Sequence, residues 1–245
     1  MVAWLLIHSP LVGPSIWTPT AAQLRQRAQE VTIPDLTSAA SADGDHFSRM
    51  ADLVIAAAEP EPVVLVAHSS AGLLLPLIAH RLVRHNVAVV ASIFVDALLP
   101  HPGQSALDVL PPPAVEQLRE LAFEGWLLPW PSWWPPQQLE AILPDEHLRN
   151  LVVDTCPPRL PLSMFTDVLP SVSEHELGTC SYVRLSSDYD AFADQAEQAG
   201  WLVHRLEDHH LAILTSPVEI TDILQDLADT EEDAPTQAAR NGTAC

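Results

Sequence analysis

The chain has 245 residues, 48% of them hydrophobic, and a formal charge of −21. That apolar content can fill a sizeable core and excludes wholesale disorder, and the length fits one α/β domain or two small ones. The eleven basic residues are all arginine, too few and too scattered for nucleic acid or an anionic membrane, which need clustered cations.

Val2 to Ile7 is a short apolar run closed by His8, Ser9 and Pro10, the pattern of a buried strand. It has no basic n-region and no small-residue cleavage site, and no apolar run reaches the length of a membrane span, so a soluble cytoplasmic protein is expected. Ala21 to Gln29 predicts a helix and Val31 to Leu36 a second strand. His46 to Glu59 has helical spacing, with Phe47, Met50, Leu53 and Val54 on one face. Pro62 to His68 predicts the third strand, Ala71 to His85 a helix, and Val87 to Ala97 the fourth strand. Near-continuous apolar strands alternating with helices mean a parallel sheet covered on both faces.

From Pro100 to Gly178 that rhythm stops. Prolines punctuate short amphipathic runs at 113–123, 136–143 and 145–153, and Trp126, Trp130, Trp133 and Trp134 cluster between them. Strand and helix patterns return at 181–187, 191–200, 201–208 and 217–228. The expected fold class is therefore a doubly wound, mostly parallel α/β core at 1–99 and 179–229 with a helical cap at 100–178. The polar, aperiodic stretch 230–245 is expected to be a disordered tail. Cys156, Cys180 and Cys245 show no metal-ligand spacing, and an odd number of cysteines fits reduced thiols. With no phosphate loop and no nucleotide fingerprint either, neither a metal nor another cofactor is expected. The oligomeric state is left open, a homodimer among the options.

The chemistry centres on Val63 to His80, where an apolar strand meets Ser69-Ser70 and a second apolar run follows. A nucleophile on a sharp strand-to-helix turn needs small residues two before and two after it, because its strained backbone leaves bulky neighbours no room. Ala67 and Ala71 meet that condition for Ser69, and Ser70 is less well flanked. In chain order such a site runs serine, acid, histidine. His210 and His209 follow the last strand pattern, with His210 the better placed. Asp190 is the first choice for the acid, with Asp188 and Asp96 as alternatives, to hold the imidazole tautomer and stabilise the imidazolium.

Together these segments resemble the α/β-hydrolase fold superfamily, and within it the small-enzyme group of hydroxynitrile lyases and plant methyl-ester esterases. Leu6 to Trp17 is similar to that group's H-x-x-x-x-G-x-x-x-W loop, and Asp208 to Leu214 to its D-H-M-x-M-L segment. His210 to Pro217 resembles the superfamily's H-x-x-x-L-x-x-P run into the last helix. The resemblance covers about 2–98 and 180–228 and not the cap. It implies an oxyanion hole of two backbone N–H groups, one from Ser70 and one from the residue two beyond His8. That residue is Pro10, which has no N–H, so Leu11 or the Ser9 hydroxyl would have to substitute.

The expected function is a cofactor-independent Ser-His-Asp enzyme acting on a small-to-medium apolar ester, thioester or lactone. The tryptophans are expected either to pack the cap or to line the substrate pocket. Pro10 keeps two alternatives in play: a lyase or cyclase of secondary metabolism using the same groups as acid and base, and a non-catalytic ligand-binding member of the fold.

Overall fold

The computed structural model describes residues 2–42, 44–172 and 174–229, so the expected tail at 230–245 lies outside the described residues. Strands β1 (Ala3–Ile7), β2 (Glu30–Thr32), β3 (Val63–His68), β4 (Val89–Val95), β7 (Thr179–Arg184) and β8 (Leu202–Arg205) form one sheet, with the two short strands β5 (Trp126–Leu127) and β6 (Leu160–Pro161) outside it. The sheet order is β2-β1-β3-β4-β7-β8, and every pairing in it is parallel.

Side chains alternate across a strand, and the two faces bury separate cores. Leu5, Ile7, Val63, Leu65, Ala67, Phe94 and Tyr182 point to one face, where they meet Phe47, Met50 and Val54 of helix His46–Ala57 and Ile78 of helix Leu75–Arg84. Trp4, Leu6, Val64, Val66, Ile93 and Val183 point to the other, against Leu24 of helix Thr18–Gln26 and Ile220 and Leu224 of helix Pro217–Asp229. Burying one such aliphatic side chain contributes about 1.5–3 kcal/mol. β1, and β3 as far as Ala67, are fully apolar because neither face of the sheet is wet.

Among its described residues the segment between β4 and β7 carries helices Pro112–Leu121, Pro136–Ile142 and Glu146–Thr155, four single turns and the antiparallel pair β5-β6. That pair joins Trp126 to Pro161 and Leu127 to Leu160. Two contacts seat the segment on the sheet's helices. His46 Nε2 lies 3.1 Å from Ser163 Oγ and 3.7 Å from Asp167 Oδ2. On the other side Ser15 Oγ lies 2.6 Å from Thr155 Oγ1, where Gly13 leaves no room for a Cβ. Among the described residues no helix is long and apolar enough to cross a membrane.

The chain runs from β1 to β2 on one side and then crosses β1 to lay β3 on the other. The carboxyl ends of β1 and β3 therefore flank a crevice at a topological switch point, where ligands bind in open α/β sheets.

Candidate active site

The loop after β1 and the turn after β3 meet in that crevice. Ser69 follows β3 directly and has φ +60°, a left-handed conformation that costs a non-glycine residue about 1–2 kcal/mol. A six-residue 3-10 turn, Ser69–Leu74, precedes helix Leu75–Arg84, so the predicted helix start at Ala71 falls in tighter coil. Strain is tolerated because the turn is clamped to the exit of β4. Leu98 N–H donates to the Ser69 carbonyl at 3.1 Å, and a Cβ on Gly72 would stand 2.1 Å from the Leu98 carbonyl oxygen. The N–H of Ser70, at the open start of the turn, has no acceptor among the described residues.

Asp96 caps β4 and is wholly buried. Its carboxylate accepts from Leu185 N–H at 2.7 Å, Ser186 N–H at 3.1 Å, Ser186 Oγ at 2.6 Å and His210 Nδ1 at 2.9 Å. Burial alone would raise its pKa, but the hydrogen bonds and charge of His210, with those of Ser186, outweigh burial and hold it below the ordinary carboxylate value. A carboxylate accepts, so Nδ1 of His210 carries the proton and Nε2 keeps the lone pair. The imidazole is held between two rings: Tyr189 stacks on it at 4.8 Å and 5°, and His68 packs at 4.4 Å and 33°. His68 Nε2 donates to the His210 carbonyl at 2.8 Å. Burial, with the nearby His210 second, drives the His68 pKa down to about 3. Among the described residues no hydrogen bond joins Ser69 Oγ to the His210 ring; the Tyr189 hydroxyl interacts with the Ser69 side chain instead.

Asp190, the first choice for the acid, is not the carboxylate that pairs with His210. Asp190 Oδ1 lies 2.8 Å from Arg184 Nε and 3.8 Å from Arg205 Nη1, half-exposed on the outer side of the sheet edge. A carboxylate there is drawn to the two guanidiniums of β7 and β8, and no hydrogen bond ties it to His210. Asp188 is exposed. His209 turns away from Ser69: its Nδ1 accepts from Leu211 N–H at 3.2 Å and its Nε2 meets Thr215 Oγ1 at 3.2 Å.

The loop after β1 is held by His8, which is fully buried, donates from Nδ1 to the Ser9 carbonyl at 2.8 Å and accepts at Nε2 from Leu36 N–H at 2.9 Å. Both ring nitrogens are thus satisfied in the neutral form, and burial lowers its pKa. Ser9 Oγ lies 2.9 Å from Ser70 Oγ and accepts from Leu11 N–H at 3.3 Å. Pro10 faces a small apolar recess with Phe47, Met50, Leu73 and Ser70.

Over Ser69 and Ser70 opens a cavity of about 200 Å³ lined by Trp130, Trp133, Trp134, Phe165, Leu98 and Tyr189, with Leu11 at its edge and no charged side chain in its wall among the described residues. Trp126 is not among the lining residues; its half-buried ring lies under the Arg159 guanidinium at 3.9 Å. Among the described residues no cluster of three His, Cys, Asp or Glu side chains could hold a metal ion.

A variant of tomato methylketone synthase I in complex with β-ketoheptanoate superposes with a TM-score of 0.68 at 15% identity over 94% of this chain and 98% of that one. Polyneuridine aldehyde esterase gives 0.68 at 19% over 94% and 100%. A pyrethroid hydrolase from Sphingobium faniae JZ-2 gives 0.71 at 20% over 96% and 100%. Identities this low speak for the fold alone. No curated protein matches the sequence significantly. The profile of the alpha/beta hydrolase family matches residues 4–223, nearly the whole sheet and its insertion, and the chain belongs to that family.

Proposed function

We propose that this protein is a serine esterase for compact, neutral, apolar carboxylic esters. Ser69 is the nucleophile, His210 Nε2 the general base and then the acid, and Asp96 the group that fixes the tautomer and stabilises the imidazolium. One observation carries the reading: a strained serine on a strand-to-turn elbow opens into an uncharged aromatic cavity beside a histidine whose other nitrogen is bound to a buried carboxylate. Attack of Ser69 Oγ on the ester carbonyl passes the Ser69 proton to His210 Nε2. The tetrahedral oxyanion forms beside Ser70 N–H, with the Ser9 hydroxyl, 2.9 Å from Ser70 Oγ and backed by Leu11 N–H, as the donor that replaces the N–H Pro10 lacks. The imidazolium returns its proton to the departing alkoxide, and water reverses the sequence to free Ser69.

A second reading rests on Pro10. With one backbone donor missing, the same groups would serve proton transfer in a lyase better than oxyanion stabilisation. A fluorophosphonate probe and p-nitrophenyl butyrate test the first reading on wild type and Ser69→Ala. Labelling and turnover in wild type, both lost in Ser69→Ala, support the esterase. Labelling without turnover of any neutral ester favours the lyase, and a wild type that is neither labelled nor active overturns the nucleophile assignment.

A further inference from the structure

Tyr189 lines the cavity together with Ser69 and Ser70 and packs on His210. Its ring lies parallel to the His210 imidazole, 5° between planes, and its hydroxyl interacts with Ser69. It is held by Tyr189 N–H donating to the Ser186 carbonyl at 3.1 Å, and Ser186 is itself bound to Asp96. Tyrosine and imidazole are therefore built on one support.

In a serine-esterase site the two oxygens of the tetrahedral adduct have fixed neighbours. The oxyanion lies toward Ser70 N–H. The leaving oxygen must lie by His210 Nε2, which delivers its proton. A donor stacked on the imidazole and in contact with Ser69 is on the leaving-group side. Resting on the esterase reading above, we propose that Tyr189 is a further catalytic residue: its hydroxyl donates a hydrogen bond to the ester's departing oxygen as the C–O bond breaks.

The proton balance is simple. The Ser69 proton goes to His210 Nε2 as the Oγ–C bond forms and then to the alkoxide as the C–O bond breaks. Tyr189 keeps its own proton throughout. Burial, with the charges of Asp96 and Asp188 behind it, holds the phenol well above its ordinary pKa, which suits a donor that never ionises.

The role separates substrates by leaving group. An alkoxide needs the donor; a p-nitrophenolate leaves without help. Tyr189→Phe keeps the stacked ring and removes only the hydroxyl. Its kcat is expected to fall roughly 10- to 100-fold on an alkyl ester of a given acid, within the range of one positioned proton-side group, and less than about threefold on the p-nitrophenyl ester of the same acid, with KM little changed on both. Tyr189→Leu, which also removes the stack, controls for positioning of His210 and should lower both substrates. An equal loss on both esters in Tyr189→Phe, or none on the alkyl ester, overturns the proposal. Ser69→Ala run alongside keeps the two ideas apart: if it retains turnover the esterase reading fails, and if it is inactive while Tyr189→Phe matches wild type on both esters only the tyrosine proposal fails.

Discussion

Replacing Asp96 by asparagine separates the acid the structure pairs with His210 from the one expected at Asp190. The carboxylate accepts four hydrogen bonds and is wholly buried. In Asp96→Asn the amide oxygen still serves Leu185 and Ser186 N–H, but the NH₂ group then faces His210 Nδ1–H and the Ser186 hydroxyl. Two charge-assisted hydrogen bonds are lost at about 1.5–3 kcal/mol each, partly offset because no charge is buried any longer, leaving a net cost of about 2–4 kcal/mol. The catalytic effect is larger. To avoid donor facing donor, His210 must carry its proton on Nε2, so it cannot accept from Ser69. In a serine protease triad that tautomer error lowers kcat about 10⁴-fold, and the same loss is expected here. Asp190→Asn should change kcat less than about threefold and stability by at most about 1 kcal/mol, since Asp190 is half-exposed and Arg184 keeps Glu207 at 2.8 Å. The assay is kcat/KM on p-nitrophenyl butyrate with urea unfolding of each variant at pH 7.5. Loss of turnover in Asp190→Asn with near-normal turnover in Asp96→Asn would refute the reasoning.

Two further outcomes follow from the buried histidine and the strained serine. His68 titrates near 3 in the fold, against about 6.5 unfolded, so below pH 6.5 the unfolded chain binds a proton that the folded chain refuses. Its stabilising contribution is full above pH 6.5 and falls by up to about 1.4 kcal/mol per unit as the pH drops toward 3. Urea midpoints between pH 6.5 and 4 should therefore fall more steeply in wild type than in His68→Gln, which keeps a donor for the His210 carbonyl; parallel curves would sink the idea. At Ser69, φ +60° suits glycine, so Ser69→Gly should unfold about 1 kcal/mol later than Ser69→Ala, both inactive. A more stable alanine variant would mean that the elbow carries no strain.

Elements with a strong local signature were legible in the sequence. The apolar runs gave the parallel strands, and the small residues around Ser69 gave the elbow. The carboxylate that pairs with His210 was less so, because Asp96 and the 188–190 aspartates all follow strands that end on the same side of the sheet. Choosing among them requires knowing that β4 and β7 are neighbours and that two guanidiniums stand on the outer side. The usable signal was that Asp96 follows the apolar run Ile93-Phe94-Val95 with no loop between. Tyr189 was hidden between two aspartates that drew attention as acids. Trp126 was grouped with the cavity tryptophans by proximity in sequence, whereas its ring packs under Arg159 and does not line the cavity.

The clamp between Gly72 and Leu98 makes a mechanical unit of two chain segments far apart in sequence. Ser69 sits at one end of it and Asp96, two residues before Leu98, at the other. The segment over the cavity hangs from different anchors, Thr155 on Ser15 and Ser163 on His46. The groups around Ser69 and the tryptophan-bearing wall are thus tied down separately, so on the esterase reading substitutions at Trp130, Trp133 or Trp134 are expected to change which esters are accepted more than they change the support of Ser69 and Asp96.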